Sequence, residues 1–290
     1  MTYQYLWHSL TGLYDESEAK AVVRLLLASR FGMSLTDIAM GKVEQLPAAD
    51  EQVLEGLLAD LKAGRPVQYV LGESWFCGRR FHVGQSVLIP RPETEELCRY
   101  VIDSLAHRQA SGGLNVLDIG TGSGCIAVTL AAELPNAAVE AWDLSEEALA
   151  VARHNAILNG VLTPGSVGRR GDVCFRQIDA LNAPDDTECW DVIVSNPPYV
   201  CEREKNQMRK NVLDFEPHIA LFVPDDDPLR FYRSIGRYAR KALKPGGQLF
   251  FEINEHFANE MELLLQGQGF TDVIVFKDQF GKDRCVRACR

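Results

Sequence analysis

The segment Asn196-Pro197-Pro198-Tyr199 carries the residue types in this sequence that are best suited to chemistry. The apolar, β-branched run before it, residues 190–195, predicts a buried strand. That strand must end at the segment, because neither proline can donate a hydrogen bond to a sheet. In open α/β sheets, ligands bind at this carboxyl edge of the strands.

The four residues offer the contacts that a planar amino group needs. The Asn196 side-chain oxygen and the Pro197 carbonyl can accept both N–H bonds of a planar –NH2 group, whose delocalised lone pair makes it a poor nucleophile. These contacts would orient the lone pair, and the Tyr199 ring could cover the flat face of the group. The alternative is a turn that only ends the strand, since Asn and Pro are frequent turn residues.

A glycine loop and an acid follow two earlier strands. Residues 115–119 predict a strand that leads into Gly120-Thr121-Gly122-Ser123-Gly124, and a second predicted strand ends at Asp143. This pattern suits a nucleoside cofactor, because glycines let the backbone approach closely and an acid can accept both ribose hydroxyls. No Lys-Ser or Lys-Thr pair follows the loop, so it is not a phosphate-binding P-loop. Asp179 follows the third predicted strand.

The order of the predicted elements divides the chain into three parts. Residues 1–72 predict a small bundle of short amphipathic helices, in which Val53, Leu54, Leu57, Leu58 and Leu61 share one buried face. This bundle could dock a protein substrate or be purely structural. Residues 73–90 predict a β-hairpin linker. Residues 91–290 alternate strands and helices, which predicts an α/β fold with a mostly parallel, Rossmann-like sheet that ends in an antiparallel C-terminal hairpin.

Composition and charge exclude several classes of protein. The 290 residues are 46% hydrophobic and 24% charged, which is typical of a globular protein. No apolar run approaches the ~20 residues of a membrane helix, and the N-terminus lacks the layout of a signal peptide. The net charge of −10 disfavours nonspecific nucleic-acid binding. We expect a cytoplasmic monomer that binds neither nucleic acid nor membrane.

The cysteines and one loop give further expectations. Eight cysteines occur without a C-x-x-C pair, so we expect reduced thiols, with no disulfide framework and no metal site. Cys98, Cys125 and Cys174 fall within predicted helices or strands, where they would be small core residues. Residues 163–171 are rich in Gly, Pro and Arg, which predicts a mobile loop.

The segment Ile89-Pro90-Arg91-Pro92-Glu93-Thr94-Glu95 predicts the start of a helix that runs to about Leu105. Its two prolines fix an extended entry, and its acids crowd the first turn of the helix. It could be an ordinary helix start. Alternatively, Arg91 and Glu93 border the site.

These motifs resemble those of a known enzyme family. The run Val116 to Gly124 looks like the first motif of class I S-adenosylmethionine-dependent methyltransferases. The segment from Leu88 to Glu95 resembles the Ile-Pro-Arg-Pro-Glu-Thr-Glu signature of the release factor glutamine methyltransferases of the HemK type. Phe215-Glu216-Pro217 and the end of the chain from Asp278 to Arg284 resemble further segments of that family. The resemblance covers essentially the whole chain.

The resemblance implies a reaction and roles for residues. Asp118 and Gly120 to Gly124 would hold the methionine part of S-adenosylmethionine, Asp143 its ribose, and Asp179 would lie near its adenine. Asn196 to Tyr199 would hold the glutamine amide in the Gly-Gly-Gln loop of peptide chain release factors. The implied product is N5-methylglutamine, with S-adenosylhomocysteine as the by-product.

The sequence leaves three other functions open. A glutamine methyltransferase for a large-subunit ribosomal protein is related, although that family typically has Arg-Ser-Pro after Pro90. An adenine-N6 nucleic-acid methyltransferase shares the logic of Asn196 to Tyr199, but neither a target-recognition region nor a basic face is visible. A nonenzymatic cofactor-binding or translation-factor-binding protein is disfavoured by the intact glycine loop, Asp143 and Asn196.

Overall fold

A computed structural model describes residues 1–105, 113–163 and 172–290. The described chain forms two compact units, and the first is discontinuous in sequence. It comprises Met1–Glu73 and Met208–Phe215, whereas the second comprises Ser74–Gln207 and Glu216–Arg290. Residues 164–171 of the expected mobile loop lie outside the described residues.

The first unit is helical, as its amphipathic patterns predict. Asp15 accepts a hydrogen bond from the Glu18 backbone N–H at 2.9 Å, and Ser34 forms a capping box with Asp37. The helices of this unit are α1 (Tyr3–His8), α2 (Glu16–Phe31), α3 (Leu35–Ala39), α4 (Ala48–Lys62), α5 (Val67–Leu71) and α9 (Lys210–Phe215), numbered in chain order.

The core of the first unit follows the predicted helix faces with one exception. Leu54, Leu58 and Leu61 of α4 are buried, but Val53 is 37% exposed, so its predicted burial is wrong. Val53 lies one residue before Leu54, about 100° around the helix from the buried row. Arg209 forms an ion pair with Glu18, which places residues 208–215 against the helices of this unit.

The second unit is built on a seven-stranded sheet with the order β10-β11-β9-β6-β3-β4-β5. The pairs among β9, β6, β3, β4 and β5 are parallel, whereas β11 runs antiparallel to both β9 and β10. The predicted α/β class and the C-terminal antiparallel hairpin are therefore confirmed. The strands are β3 (Leu114–Ile119), β4 (Ala137–Asp143), β5 (Val173–Gln177), β6 (Trp190–Ser195), β9 (Leu243–Glu252), β10 (Thr271–Lys277) and β11 (Asp283–Cys289).

Helices cover both faces of this sheet. Along β3, Val116 packs into one hydrophobic cluster and Leu117 into the other, because successive side chains of a strand point to opposite faces. One cluster includes helices α6, α7 and α8, and the other includes α10 and α11. These helices are α6 (Pro92–Leu105), α7 (Cys125–Glu133), α8 (Glu146–Leu158), α10 (Arg230–Ala242) and α11 (Ala258–Gly267).

Two short strand pairs complete the second unit. The hairpin of β1 (Glu73–Phe76) and β2 (Arg79–His82), which the sequence assigns to a linker, has Phe76 and Phe81 in a core cluster of this unit. β7 (Val200–Cys201) pairs in parallel with β8 (Phe222–Val223). Strand β9 begins at Leu243, which pairs with Trp190 of β6 before a register shift in the ladder.

All eight cysteines are free thiols in the described structure. Cys98 and Cys125 are buried as predicted, but Cys174 is exposed, so its assignment to the core is wrong. Cys174 lies on β5, at the edge of the sheet. Within the described ranges, no helix combines the length and apolar composition needed to cross a membrane.

Candidate active site

A cavity of about 380 Å³ opens where the carboxyl ends of β3, β4 and β6 meet. This volume lies within the range of roughly 300–1,000 Å³ that is typical of small-molecule sites. The residues that line the cavity include Ile89, Arg91, Thr94, Gly120, Gly122, Asp143, Leu144, Ile178, Asp179, Asn196, Pro197, Pro198 and Phe231. Within the described part of the chain, no three His, Cys, Asp or Glu side chains group to hold a metal ion.

The glycine loop turns from β3 into α7 through residues that need unusual backbone angles. Gly120, Gly122 and Gly124 have φ values of 76°, 55° and 81°, a region that residues with side chains rarely adopt. A Cβ atom on Gly124 would lie 3.0 Å from the Cβ of Ala152, so this position is also crowded. The backbone N–H groups of Gly120 and Thr121 donate to the Trp142 carbonyl at 2.9 Å. The loop is therefore fixed against the end of β4.

Asp118 lies beneath this loop and is fully buried. Its Oδ2 accepts hydrogen bonds from the Thr121 hydroxyl at 2.6 Å and from the Ala127 backbone at 3.2 Å. Its Oδ1 has no hydrogen-bond partner among the described residues, and Asp118 is not one of the described residues that line the cavity. Burial raises the pKa of Asp118 to about 7. The direct contacts of Asp118 are thus with the loop and with the first turn of α7.

Asp143 and Asp179 both line the cavity, as expected for acids at strand ends. Asp143 accepts from the Gly122 backbone at 2.8 Å and from the Ser145 backbone at 2.9 Å, and burial raises its pKa. Asp179 accepts from the Leu181 backbone N–H at 2.8 Å. These bonds hold the two carboxyl groups in place.

Asn196, Pro197 and Pro198 line the same cavity, next to the glycine loop. The Asn196 side-chain nitrogen donates to the Thr94 hydroxyl at 3.2 Å, so the side-chain oxygen faces the other way. No described residue donates a hydrogen bond to the Pro197 carbonyl. Asn196 and Pro197 are thus consecutive residues of the cavity wall, and each carries an oxygen that can accept a hydrogen bond.

Tyr199 is placed differently from its three neighbours. Its hydroxyl donates to Glu252 Oε1 at 3.0 Å, and Tyr199 is not among the described residues that line the cavity. Burial and the nearby Glu252 carboxylate raise its pKa well above the ordinary value. The ring packs against the hydrophobic cluster that contains α10 and α11.

The segment before α6 reaches the site through Arg91. Its guanidinium lies 2.5 Å from Glu216 Oε1, while Glu216 Oε2 accepts from the Ile89 backbone at 3.2 Å. Arg91 lines the cavity, whereas Glu93 is not among the described lining residues. The buried Glu216 carboxylate thus ties the segment entering α6 to the chain that follows residue 215.

Three buried polar residues near the cavity have no role that the sequence predicts, namely Thr94, Glu216 and Glu252. Thr94 and Glu216 belong to the motifs that carry the family resemblance, but nothing in the sequence shows which groups they contact. The sequence does contain a signal for a site position at Glu252, because this residue ends β9 at the same sheet edge as Asp143 and Asn196. An acid at the end of a predicted strand marks such a position.

The residues at this edge fit a nucleoside cofactor with a charged tail. The Asp143 carboxylate can accept hydroxyl hydrogen bonds, the glycine loop gives close backbone approach, and the apolar side chains of Leu144, Ile178 and Phe231 can flank a flat ring. A crystal structure named methyltransferase from Pyrococcus furiosus shares the fold at a TM-score of 0.50 and 19% identity, covering 84% of this chain and 98% of that one. Residues 98–214 match the family model described as methyltransferase small domain. The chain thus has the fold and the domain match of a class I S-adenosylmethionine-dependent methyltransferase.

Comparison with curated relatives identifies a family within this class of methyltransferases. A Bacteroides thetaiotaomicron protein named release factor glutamine methyltransferase is 45% identical over 287 residues, which cover 99% of this chain and 98% of the relative. A Flavobacterium psychrophilum protein of the same name is 41% identical, with 96% and 94% of the two chains covered. Residues 6–72 match the family model described as PrmC N-terminal domain. The chain belongs to the release factor glutamine methyltransferase family.

Replacing Asp143 with alanine is expected to weaken the binding of S-adenosylmethionine. Loss of a charged hydrogen-bond acceptor costs on the order of 1.5–3 kcal/mol, or roughly 10- to 100-fold in Kd. Calorimetry of Asp143→Ala against wild type measures this loss. Asp143→Asn is the comparison variant, because it removes the charge but keeps one acceptor oxygen, so that only one of the Gly122 and Ser145 backbone N–H groups loses its acceptor. Unchanged affinity in both variants would remove Asp143 from the cofactor site.

Asp118 is expected to make stability depend on pH. Because its pKa of about 7 in the folded protein exceeds the ordinary value of 3.8, the folded state binds the proton more tightly than the unfolded state. The free energy of unfolding should therefore fall as pH rises from about 4 to about 7, and this component should be absent in Asp118→Asn. Urea unfolding of both proteins at several pH values measures the difference. Parallel pH curves would contradict the assignment.

Proposed function

We propose that this protein transfers the methyl group of S-adenosylmethionine to the side-chain amide nitrogen of the glutamine in the Gly-Gly-Gln motif of peptide chain release factors. The product is N5-methylglutamine. The observation that carries the proposal is the 45% identity, over nearly the full length of both chains, to a relative named release factor glutamine methyltransferase. The pair of acceptors at Asn196 and Pro197 supports it.

The cofactor is proposed to lie along the edge formed by the glycine loop, Asp143 and Asp179. Gly120 to Gly124 hold the methionine part, and Asp118 acts on that part through the loop, since it accepts from Thr121 and Ala127. Asp143 accepts the ribose hydroxyls, and Asp179 lies near adenine. Bound there, the sulfonium of S-adenosylmethionine supplies an electrophilic methyl group.

The substrate amide is proposed to be held by Asn196 and Pro197. The Asn196 Oδ1 atom and the Pro197 carbonyl accept its two N–H bonds, which turns the nitrogen lone pair toward the methyl group. As the new N–C bond forms, the C–S bond breaks and its electron pair stays on sulfur. The nitrogen becomes acidic at this point and loses one proton to water, so no strong base is required. Catalysis here is positioning and hydrogen bonding.

The remaining predicted site residues are proposed to border the substrate. Arg91 lines the cavity and is anchored by Glu216, so it can contact the peptide on either side of the glutamine. Glu93 follows two residues later and would face the same peptide outside the cavity. Pro198 forms part of the cavity wall, and Tyr199 supports the wall from the Glu252 side.

An assay with labelled S-adenosylmethionine tests the proposed function directly. Release factor, large-subunit ribosomal protein and adenine-containing DNA are offered separately. Methylation of the release factor alone, lost when its Gly-Gly-Gln glutamine is replaced, is the expected result. Label on ribosomal protein or DNA instead would support one of the rival functions. We further propose that the enzyme works as a cytoplasmic monomer, which light scattering of the purified protein can check.

Asn196→Ala is expected to nearly abolish turnover with little effect on cofactor affinity. Asn196 supplies one of the two acceptors that hold the planar amide, and Pro197 supplies only the other. By analogy with oxyanion-hole donors, loss of one oriented group lowers the rate by ~10²–10³-fold. Single-turnover methylation of a Gly-Gly-Gln substrate measures the rate, and calorimetry measures cofactor binding.

Asn196→Asp is the matched variant for this test. It keeps an acceptor and the shape but places a negative charge beside a sulfonium, so we expect tighter cofactor binding together with slow methyl transfer. A rate for Asn196→Ala within a few-fold of wild type would mean that residues 196–199 form only a turn.

The first unit is proposed to dock the release factor. Its helix α3 begins with Leu35, which is 66% exposed, and is followed by Met40, which is 72% exposed. Exposed apolar side chains of this size are typical contacts of protein interfaces. We expect Leu35→Ser with Met40→Ser to raise the KM for intact release factor roughly fivefold or more and to leave a short Gly-Gly-Gln peptide unaffected.

Leu263→Ser is the matched control for docking, because Leu263 is 70% exposed on α11 of the second unit. It should change the KM for neither substrate. Equal relative losses of the double variant on release factor and on peptide would rule out a docking role for these side chains.

A further inference from the structure

A side-chain amide such as that of Asn196 can face either way with almost the same shape. Rotation by 180° exchanges its oxygen, which accepts, and its nitrogen, which only donates. The side-chain oxygen must face the substrate amide to accept its N–H bonds. If the side-chain nitrogen faced the substrate instead, two hydrogen-bond donors would oppose each other. The proposed reaction therefore requires something that selects the orientation of Asn196.

The Thr94 hydroxyl is the group that contacts the Asn196 nitrogen, at 3.2 Å. Thr94 is 2% exposed and lies in the first turn of α6. A hydroxyl can donate or accept, so a threonine by itself would tolerate either orientation of the amide. Thr94 selects one orientation of the Asn196 amide only if the Thr94 hydroxyl donates its proton to another group.

Glu252 provides that acceptor. Its Oε2 lies 2.6 Å from the Thr94 hydroxyl, and its Oε1 accepts from the Tyr199 hydroxyl at 3.0 Å. An ionised carboxylate has no proton to give, so both hydroxyls must donate to it. Glu252 is 1% exposed, and burial raises its pKa above the ordinary value, with a further contribution from the Glu93 carboxylate. The hydrogen bonds from Thr94 and Tyr199 and the Arg284 guanidinium oppose this rise.

We propose that Glu252 and Thr94 are positioning residues that fix the orientation of the Asn196 amide. The inference rests on the proposed function. Because the Thr94 hydroxyl donates its proton to Glu252, its oxygen can only accept a hydrogen bond from Asn196. The Asn196 nitrogen must then face Thr94, and its oxygen must face the substrate. Neither Glu252 nor Thr94 needs to touch the substrate in this role.

Thr94→Val removes the hydroxyl while keeping the shape of the side chain, and Thr94→Ser keeps the hydroxyl. We expect Thr94→Val to lower kcat about 10- to 100-fold with unchanged cofactor affinity, because misplacement of a reacting group costs on this order. Thr94→Ser should restore kcat to within a few-fold of wild type. Thr129→Val is the matched control, since Thr129 is 1% exposed and hydrogen-bonded to neither Asn196 nor Glu252 in the described structure. Equal kcat for the two Thr94 variants would overturn the proposal.

A second comparison tests whether Glu252 acts through Thr94. Glu252→Met removes the acceptor of the Thr94 hydroxyl proton. As a single substitution it should lower kcat, but added to Thr94→Val it should have little further effect. Thermal unfolding confirms that each variant is folded. An unchanged kcat in the single variant, or an equal loss in both backgrounds, would show that Glu252 has no such role.

Neutron diffraction of deuterated wild-type crystals separates this proposal from the proposed function. The expected map shows deuterons on the Asn196 atom that faces Thr94 and a deuteron from Thr94 directed at Glu252. The reverse arrangement overturns the inference whether or not release factors are methylated. A protein that fails to methylate release factors but shows the expected deuterons would refute the proposed substrate alone.

Discussion

The register of the parallel strands is the constraint on which the site depends. Ile119 of β3 pairs with Trp142 of β4 and with Ser195 of β6, and Ser195 pairs with Phe251 of β9. The residues that follow this row are Gly120, Asp143, Asn196 and Glu252. The strand register thus places these four residues, from distant parts of the chain, next to one another at the carboxyl edge of the sheet. A slip of one residue in any strand would turn its side chains to the opposite face.

Hydrogen-bond donors from the backbone and from one arginine side chain keep carboxylates near the site in fixed positions. Asp143 is held by the Gly122 and Ser145 N–H groups, and Glu216 by the Ile89 N–H and the Arg91 guanidinium. Groups fixed before the substrate arrives need little reorganisation during the reaction. For a reaction that requires alignment more than proton transfer, this rigidity is the main contribution that the protein can make.

Much of the sheet and its glycine loop could be predicted because their signals are local. Buried strands are short apolar runs, and each ends at a residue that breaks or changes the pattern. The link between Thr94 and Glu252 joins residues 158 positions apart, so no local pattern contains it. The same reason applies to residues 208–215, whose packing in the first unit depends on partners such as Glu18. The predicted burial of Cys174 is wrong because strand periodicity does not show which strand lies at the edge of a sheet.

The discontinuous first unit has a consequence for how the chain folds during synthesis. Its helices from residues 1–73 leave the ribosome early, but its last helix ends at Phe215. Strands β3 to β6 are made in the interval, so the first unit is completed only after much of the central sheet has emerged. A ribosome pause before residue 208 would leave the N-terminal helices without the ion pair between Arg209 and Glu18. The order of translation thus delays completion of the first unit until β3 to β6, four strands of the seven-stranded sheet, have been synthesised.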